Sequence, residues 1–443
     1  MSSEPSVESV SELRPLLIAE AANPEWVSVP LVGWSHAHAL LQKTRGHLVT
    51  QIRNREAILR AGLVEGRDFT AIDSERSARL ADRVARLLRG KSGVAWTMVT
   101  ALQSLAYPHF ERLVWKEFGA RLRAGEFDLV HRITPLSPTT PSSLAKRCAR
   151  IGVPFVLGPL NGGLPWPRGF DRERRREREW LSYVRGVYKL MPGYRATRAH
   201  AAAILVASRA TAEQMPERQR SKCYYLPENG IDPARFTRRR TRTARLPLRL
   251  IFIGRLVPYK GADMLLEAAL PLLRAGALAL EIVGDGPQMP ELRATVEREG
   301  LAERVALPGW VEHARVQDRL VEADLMVLPS IREFGGGVVL EAMAVGVPPA
   351  VVAYGGPGEL VSDDIGFRIE LGSRAEIVAR LRALLERLVA EPAAIDRRAE
   401  PAWRRAHEHF AWSAKADQTL SFYEWVLGRR AESPLPAWTE IPG

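Results

Sequence analysis

Arg332-Glu-Phe-Gly-Gly-Gly-Val-Val-Leu-Glu-Ala-Met-Ala-Val-Gly346 is the stretch that decides how this chain is read. It follows a short apolar run, Asp324 to Pro329, with the length and composition of a buried strand. The glycines then make a turn, and Val338 onward reads as a helix. A strand, a glycine turn and a helix start form an anion cradle, because the first backbone N–H groups of a helix have no partners and its dipole favours negative charge. Two acids, Glu333 and Glu341, flank this cradle. Carboxylates repel phosphates, so they should meet something neutral and hydroxylated attached to the phosphate, most simply a sugar.

Working outward, the same unit recurs. Leu248 to Ile253, Leu280 to Val283, Val305 to Leu307 and Ala350 to Ala353 read as strands. The stretches Ala262 to Arg274, Met289 to Gly300, Val316 to Glu322 and Ser373 to Leu388 read as helices between or after them. Upstream, Arg14 to Glu20, Gly46 to Ile52, Phe127 to Ile133, Val153 to Leu157 and Ile204 to Ala207 read as strands. A loop is expected from Ala21 to Trp34. Helices are expected from His38 to Thr44, within Ser77 to Ala124 and around Ser142 to Arg150. Strands alternating with helices imply an α/β fold with parallel sheets covered on both faces. Between the two series, Thr237 to Thr243 holds only arginine and threonine, without apolar periodicity, so Phe236 to Leu246 reads as a linker.

Composition narrows the function classes. The chain has 443 residues, too many for one core. Its two cysteines, Cys148 and Cys223, form no disulfide framework and no metal spacing, which suits a reducing compartment. No apolar run approaches the roughly 18 residues that span a bilayer, and the acidic N-terminus lacks a signal pattern. A cytoplasmic protein is expected, possible at the inner face of a membrane. The net charge of +12 fits phosphorylated ligands, an anionic membrane surface or nucleic acid. No nucleic-acid motif is present. There are eight lysines against 55 arginines, so an isolated arginine carries little information and a lysine rather more.

Three further segments carry chemistry, each just past a strand, where open parallel sheets bind ligands. Gly254-Arg-Leu-Val-Pro-Tyr-Lys260-Gly261 offers a guanidinium fork and a mobile ammonium, suited to a diphosphate. Gly284-Asp-Gly-Pro287 is a tight turn without the third glycine of a dinucleotide fingerprint, which disfavours a nicotinamide-dependent oxidoreductase. Gly309-Trp310 offers backbone to a base edge, or a tryptophan for packing.

The order of these motifs resembles the retaining GT-B glycosyltransferases, specifically the large family 4 group. The resemblance rests on Gly254 to Gly261, Gly284 to Pro287, Pro329-Ser-Ile-Arg-Glu333 through Glu341 (the E-x7-E pattern), Gly355-Gly-Pro357 and Asn229-Gly-Ile-Asp-Pro233, and spans Leu226 to Arg368. Where many members have Glu-Gly-Phe-Gly, this chain has Glu333-Phe334-Gly335-Gly336-Gly337, closer to a branch with a Gly-Gly pair before Val-Val-Leu-Glu.

The resemblance implies two Rossmann-like domains facing across a cleft, over 1–240 and 241–410. A C-terminal segment, 411–443, would return to the first, signalled by Phe410-Ala-Trp-Ser413. It implies transfer of a sugar from a nucleoside-diphosphate donor to a hydroxyl acceptor with retention, in envelope or glycoconjugate synthesis, without a metal or other cofactor. By position, Arg255 and Lys260 would hold the diphosphate, Glu333 the transferred sugar and Glu341 the ribose. N–H groups near Gly336, Gly337 and Val338 would cap the β-phosphate. Gly254, Gly309 and Trp310 would line the nucleotide.

In the first domain, Gly33 loosely matches a glycine loop after the first strand. His131 stands where the family often has His-x-His, but Ile133 occupies the second position. His131 is therefore either an active-site residue or a hydrogen-bonded strand end. Gly158 to Gly163 resembles a turn beside the acceptor. Residues 166–198, basic with interleaved Trp and Tyr, read either as a peripheral membrane contact or as a solvated helix with i,i+4 pairs. A non-catalytic nucleotide-sugar-binding partner in an envelope-assembly complex is the alternative function.

Overall fold

The computed structural model describes residues 11–75, 96–171 and 193–440. The chain folds as two compact units. The first comprises Met1–Gly163, Glu179–Glu228 and Lys415–Ile441, and the second Leu164–Arg178, Asn229–Ala414 and the last two residues. The sequence boundary expected at 240/241 lies further along, inside the second unit.

The first unit is built on seven strands: β1 (Pro15–Ala19), β2 (His47–Gln51), β3 (Phe69–Ile72), β4 (Leu129–Thr134), β5 (Phe155–Leu160), β6 (Ala203–Val206) and β7 (Cys223–Tyr225). Their order is β3-β2-β1-β4-β5-β6-β7, and every pairing is parallel. β1, β2, β4, β5 and β6 are buried throughout, as sheets covered on both faces require. The second unit holds β8 (Leu248–Ile253), β9 (Leu278–Val283), β10 (Val305–Gly309), β11 (Leu325–Leu328), β12 (Pro349–Val352) and β13 (Phe367–Ile369). They lie in the order β10-β9-β8-β11-β12-β13, again all parallel. β3, β7 and β13, short and interrupted by Thr70, Tyr224 and Arg368, escape a sequence reading.

Among the helices are α1 (Val29–Lys43), α2 (Trp96–Arg123), α3 (Ser143–Arg150), α4 (Ala262–Arg274), α5 (Gly337–Ala344), α6 (Arg374–Ala390) and α7 (Trp412–Val426). α1 corrects the expected loop over Ala21 to Trp34. Pro30 sits in its first turn, where the missing N–H costs nothing. The helical spacing within Ser77 to Ala124 appears as α2 from Trp96; residues 76–95 lie outside those described. No helix among the described residues is long and apolar enough to cross a membrane.

From Lys415 onward α7 belongs to the first unit. The fully buried Lys415 donates to the Pro227 carbonyl, Thr419 bonds His36 of α1, Tyr423 bonds His131 of β4, and Phe422 packs edge-on against Tyr224. Burial drops the Lys415 ammonium to about 7, offset in part by the nearby Glu228.

The run expected as a linker is anchored in the second unit. Arg240 is buried and reaches Asp324 (3.1 Å) and Asp396 (2.9 Å), while its N–H donates to the Val345 carbonyl. Asp324, with no exposed surface, also accepts the Arg249 N–H at 2.9 Å and faces Arg242 at 3.4 Å. One buried acid thus ties the arginine run to the start of β11. Removing one partner of such a pair leaves an uncompensated buried charge. Asp324→Ala is expected to cost about 3–5 kcal/mol, read as a lowered unfolding midpoint, whereas Arg238→Ala, at a pair that is exposed on both sides, stays within about 1 kcal/mol of the parent.

Candidate functional site

In the second unit the chain turns to opposite sides after β8 and β11, since β9 flanks β8 on one side and β12 flanks β11 on the other. This is a topological switch point, where an open parallel sheet has a crevice at the carboxyl ends of its strands. The loop Gly254 to Gly261 leaves β8, and Ser330 to Gly336 leaves β11. They are stitched together by the Ile331 N–H (2.9 Å) and the Ser330 hydroxyl (3.0 Å), both donating to the Tyr259 carbonyl.

This stitching brings Lys260 and Glu333 into an ion pair, through Nζ and Oε2. Each side chain keeps 17% of its surface exposed, so the pair is desolvated yet reachable. Arg255, on the same loop, is exposed and has no ion-pair partner among the described residues. The two cations that sequence placed together therefore differ: one is held against an acid, the other is open to a ligand.

α5 opens at Gly336, which is left-handed (φ +61°) and offers no side-chain cap. Gly336 thus brings no side chain of its own to the first N–H groups of the helix, those of Gly337 and Val338. Behind this turn, Gly355 and Gly356 allow close backbone approach: a Cβ on Gly355 would stand 2.4 Å from the Glu333 carbonyl oxygen, and one on Gly356 2.2 Å from that of Phe334. The Gly356 N–H donates to the Glu333 carbonyl at 3.3 Å. The Gly-Gly-Pro motif supports the loop bearing Glu333. Similarly, a Cβ on Gly284 would lie 1.9 Å from the Gly254 carbonyl oxygen, so the 284–287 turn braces the Arg255 loop.

Glu341, one turn into α5, also has a partner that sequence reasoning missed. His313 Nε2 donates to its Oε1 at 2.8 Å. Glu341 raises the His313 pKa, chiefly through this hydrogen bond, against the opposing effect of burial. His313 follows β10, three residues beyond Trp310. Its place past a strand end was the only signal available. Trp310 itself is 70% exposed, which removes the core-packing reading, and Gly309 ends β10 with φ +82°.

The first-unit candidates fare differently. Gly33 lies inside α1, not in a loop. It is needed because a Cβ there would come within 2.1 Å of the Ala21 carbonyl oxygen. His131 is fully buried, and both ring nitrogens are engaged. Nε2 must carry the hydrogen, since the Gly158 carbonyl at 2.6 Å can only accept, so Nδ1 accepts from the Tyr423 hydroxyl at 2.5 Å. The geometry is that of a strand residue securing α7, not of one turned toward a substrate. Of the segment 166–198, residues 172–192 lie outside those described. At its ends Tyr194 is buried under Arg198, and Arg332 lies over Trp166.

Residues 247–387, which contain every second-unit candidate, match the family described as glycosyl transferases group 1. That stretch, about a third of the chain, resembles the group 1 glycosyltransferases. Among its relatives are a glycogen synthase of Mycobacterium tuberculosis and a D-inositol 3-phosphate glycosyltransferase of Streptomyces griseus. The first is 36% identical over 213 residues, 47% of this chain and 50% of that one. The second is 33% identical over 196 residues, 41% of each. The chain spans about half the length of the relatives it matches. Solved structures resemble it more broadly. Sucrose-phosphate synthase from Thermosynechococcus elongatus superposes with a TM-score of 0.59, covering 95% of this chain and all of that one at 16% identity. HepE of Anabaena, solved with UDP and glucose, gives 0.55 over 94% of this chain and all of that one, also at 16%. This likeness identifies the fold as GT-B. The stretch that matches the family lies within the second of the two parallel-sheet units.

Burial depresses the His131 imidazole to about 4, countered by its bond to Gly158. The folded pKa lies below the unfolded value of about 6.5, so between these values the unfolded chain binds the proton first. The stabilising contribution is complete above about pH 6.5 and is lost as pH falls toward about 4. His131→Gln, which cannot titrate, should lack this loss. The difference in unfolding free energy between the two proteins should shift by on the order of 3 kcal/mol from pH 7 to pH 4 in denaturant titrations.

Proposed function

We propose that the second unit binds a nucleoside-diphosphate sugar and that the protein transfers the sugar to a hydroxyl acceptor. The observation that carries this reading is the meeting of Lys260 and Glu333 at the switch point, beside the glycine-opened start of α5 and on the same loop as the exposed Arg255. The named relatives support it, since one is called a glycosyltransferase and another an alpha-D-kanosaminyltransferase.

The diphosphate lies, in this reading, against Arg255, two N–H groups of Lys260 left over from its bond to Glu333, and the first N–H groups of α5. Reaction breaks the bond between the anomeric carbon and the phosphate oxygen and forms one from that carbon to the acceptor oxygen. Negative charge grows on the departing diphosphate, where these donors already point, so they stabilise the transition state more than the ground state. The acceptor proton passes to the departing phosphate. Glu333 keeps one carboxylate oxygen for a sugar hydroxyl while the other holds Lys260. Glu341 accepts from the ribose hydroxyls. We infer retention of configuration and independence of metal from the motif order, and a place in envelope or glycoconjugate synthesis from the resemblance alone. Fixed cations at the diphosphate perform the charge neutralisation that a metal would otherwise supply.

Losing one preorganised donor commonly costs about 3 kcal/mol of barrier. Lys260→Ala should therefore lower kcat by about a hundredfold, and a wild-type rate would remove Lys260 from the reaction. Arg255→Lys should also impair turnover, since an ammonium cannot replace the two-pronged guanidinium contact. A thermal-shift panel of UDP-, GDP- and ADP-sugars tests the reading directly. A ligand at about 100 times its Kd stabilises by about 2.7 kcal/mol, and no shift with any of them would overturn it.

A further inference from the structure

Both acids beside the anion site are paired with bases, and the two bases differ. Glu333 faces a lysine from the loop after β8. Glu341 faces a histidine from another loop, whose charge changes near neutrality. We propose that His313 is a positioning residue for the nucleotide: it fixes the Glu341 carboxylate and, when protonated, cancels its charge against the incoming diphosphate, so that nucleotide affinity falls as the imidazole loses its proton. This rests on the reading that Glu341 meets the ribose.

The geometry supports the role. His313 Nε2 lies 2.8 Å from Oε1, leaving Oε2 to accept from a ligand. The Glu341 side chain is 19% exposed and that of His313 33%, so both stand at the rim, where a charge acts on a bound anion. The ring of Phe236 meets the imidazole edge-on at 6.1 Å and restricts its motion. Two charged groups face the imidazole from the elements packed against it. Glu341 on α5 favours the proton, and Arg235 on the segment before Phe236 opposes it. Glu312 and Arg315 flank it on its own turn.

The balance leaves the His313 pKa raised, with the Glu341 hydrogen bond as the largest cause. Below the ordinary histidine range the pair is a charge-assisted bond of zero net charge. Above the raised value, Glu341 is a bare carboxylate near two phosphates, held only by a neutral N–H. A diphosphate therefore binds more weakly at the higher pH and, by linkage, its binding raises the affinity of His313 for its proton.

Calorimetry on the full chain tests this, with whichever of UDP, GDP or ADP binds the parent best, at about pH 6 and about pH 8.5. The terminal phosphate of the nucleotide titrates in the same range, so the ratio of parent to variant affinity at each pH is the readout. His313→Gln keeps a donor without a charge, and His313→Leu keeps neither. At about pH 6 the leucine variant should bind about tenfold more weakly than the parent and the glutamine variant about threefold. At about pH 8.5 parent and glutamine variant should coincide, with leucine still weaker. A parent-to-glutamine ratio that is the same at both values overturns the proposal, as does a leucine variant that binds like the parent. Should His313→Leu not fold, the glutamine comparison alone decides. Glu341→Ala separates the two readings. If it weakens binding while the His313 variants do not, only the present inference fails; if it too is without effect, or no nucleotide binds, the ribose reading fails with it.

Discussion

Strand β8 lies between β9 and β11, and the site of the second unit depends on that placement. A parallel strand needs a crossover on leaving, and crossovers from β8 and β11 depart to opposite sides. Neither can fill the space above the two strand ends. The loops that remain there must satisfy their own backbone groups, which they do by sharing the Tyr259 carbonyl. This convergence produces the approach of Lys260 to Glu333, the exposure of Arg255 and the glycine start of α5. The glycines at 284, 355 and 356 have the same origin, since two loops converging on one crevice leave no room for a Cβ.

The electrostatics of the site are set by pairing. Carboxylates beside a phosphate cradle would be repulsive if left bare. Each is instead matched to a base from a different loop, which lowers the local negative charge and leaves a second carboxylate oxygen on each. In the first unit, burial rather than acid–base pairing sets the charges. His36 and His131 are buried so deeply that they stay neutral, and Lys415 loses much of its affinity for a proton. There the polar atoms serve α7, which returns over the sheet, rather than a ligand.

Much of the fold was legible because buried parallel strands are continuous apolar runs and helices repeat at 3.6 residues. β8, β11 and α4 show this plainly. The short strands β3, β7 and β13 do not, because Thr70, Tyr224 and Arg368 interrupt their apolar runs. The start of α1 was missed although Ser28 stands at its N-cap and Pro30 in its first turn, a start signal that no acidic residue reinforces. The arginine run before β8 looked like a tether because its anchor is a buried aspartate 84 positions away. Gly33 was read only as a loose match to a glycine loop; the contact that excludes a Cβ there, with the Ala21 carbonyl, needs the tertiary structure.

The sequence by itself determined the α/β class, the succession of two sheets and the residue types of the candidate site, because spacing and composition act over a few residues at a time. Tertiary structure decided which of those residues meet. Lys260 and Glu333 are 73 positions apart, His313 and Glu341 28, and His131 and Tyr423 292. Strand order joins the first two pairs, and the packing of α7 joins the third. Strand order is set by which strands share hydrogen bonds, a choice that every parallel strand offers equally along its own length and that only packing of the whole domain resolves.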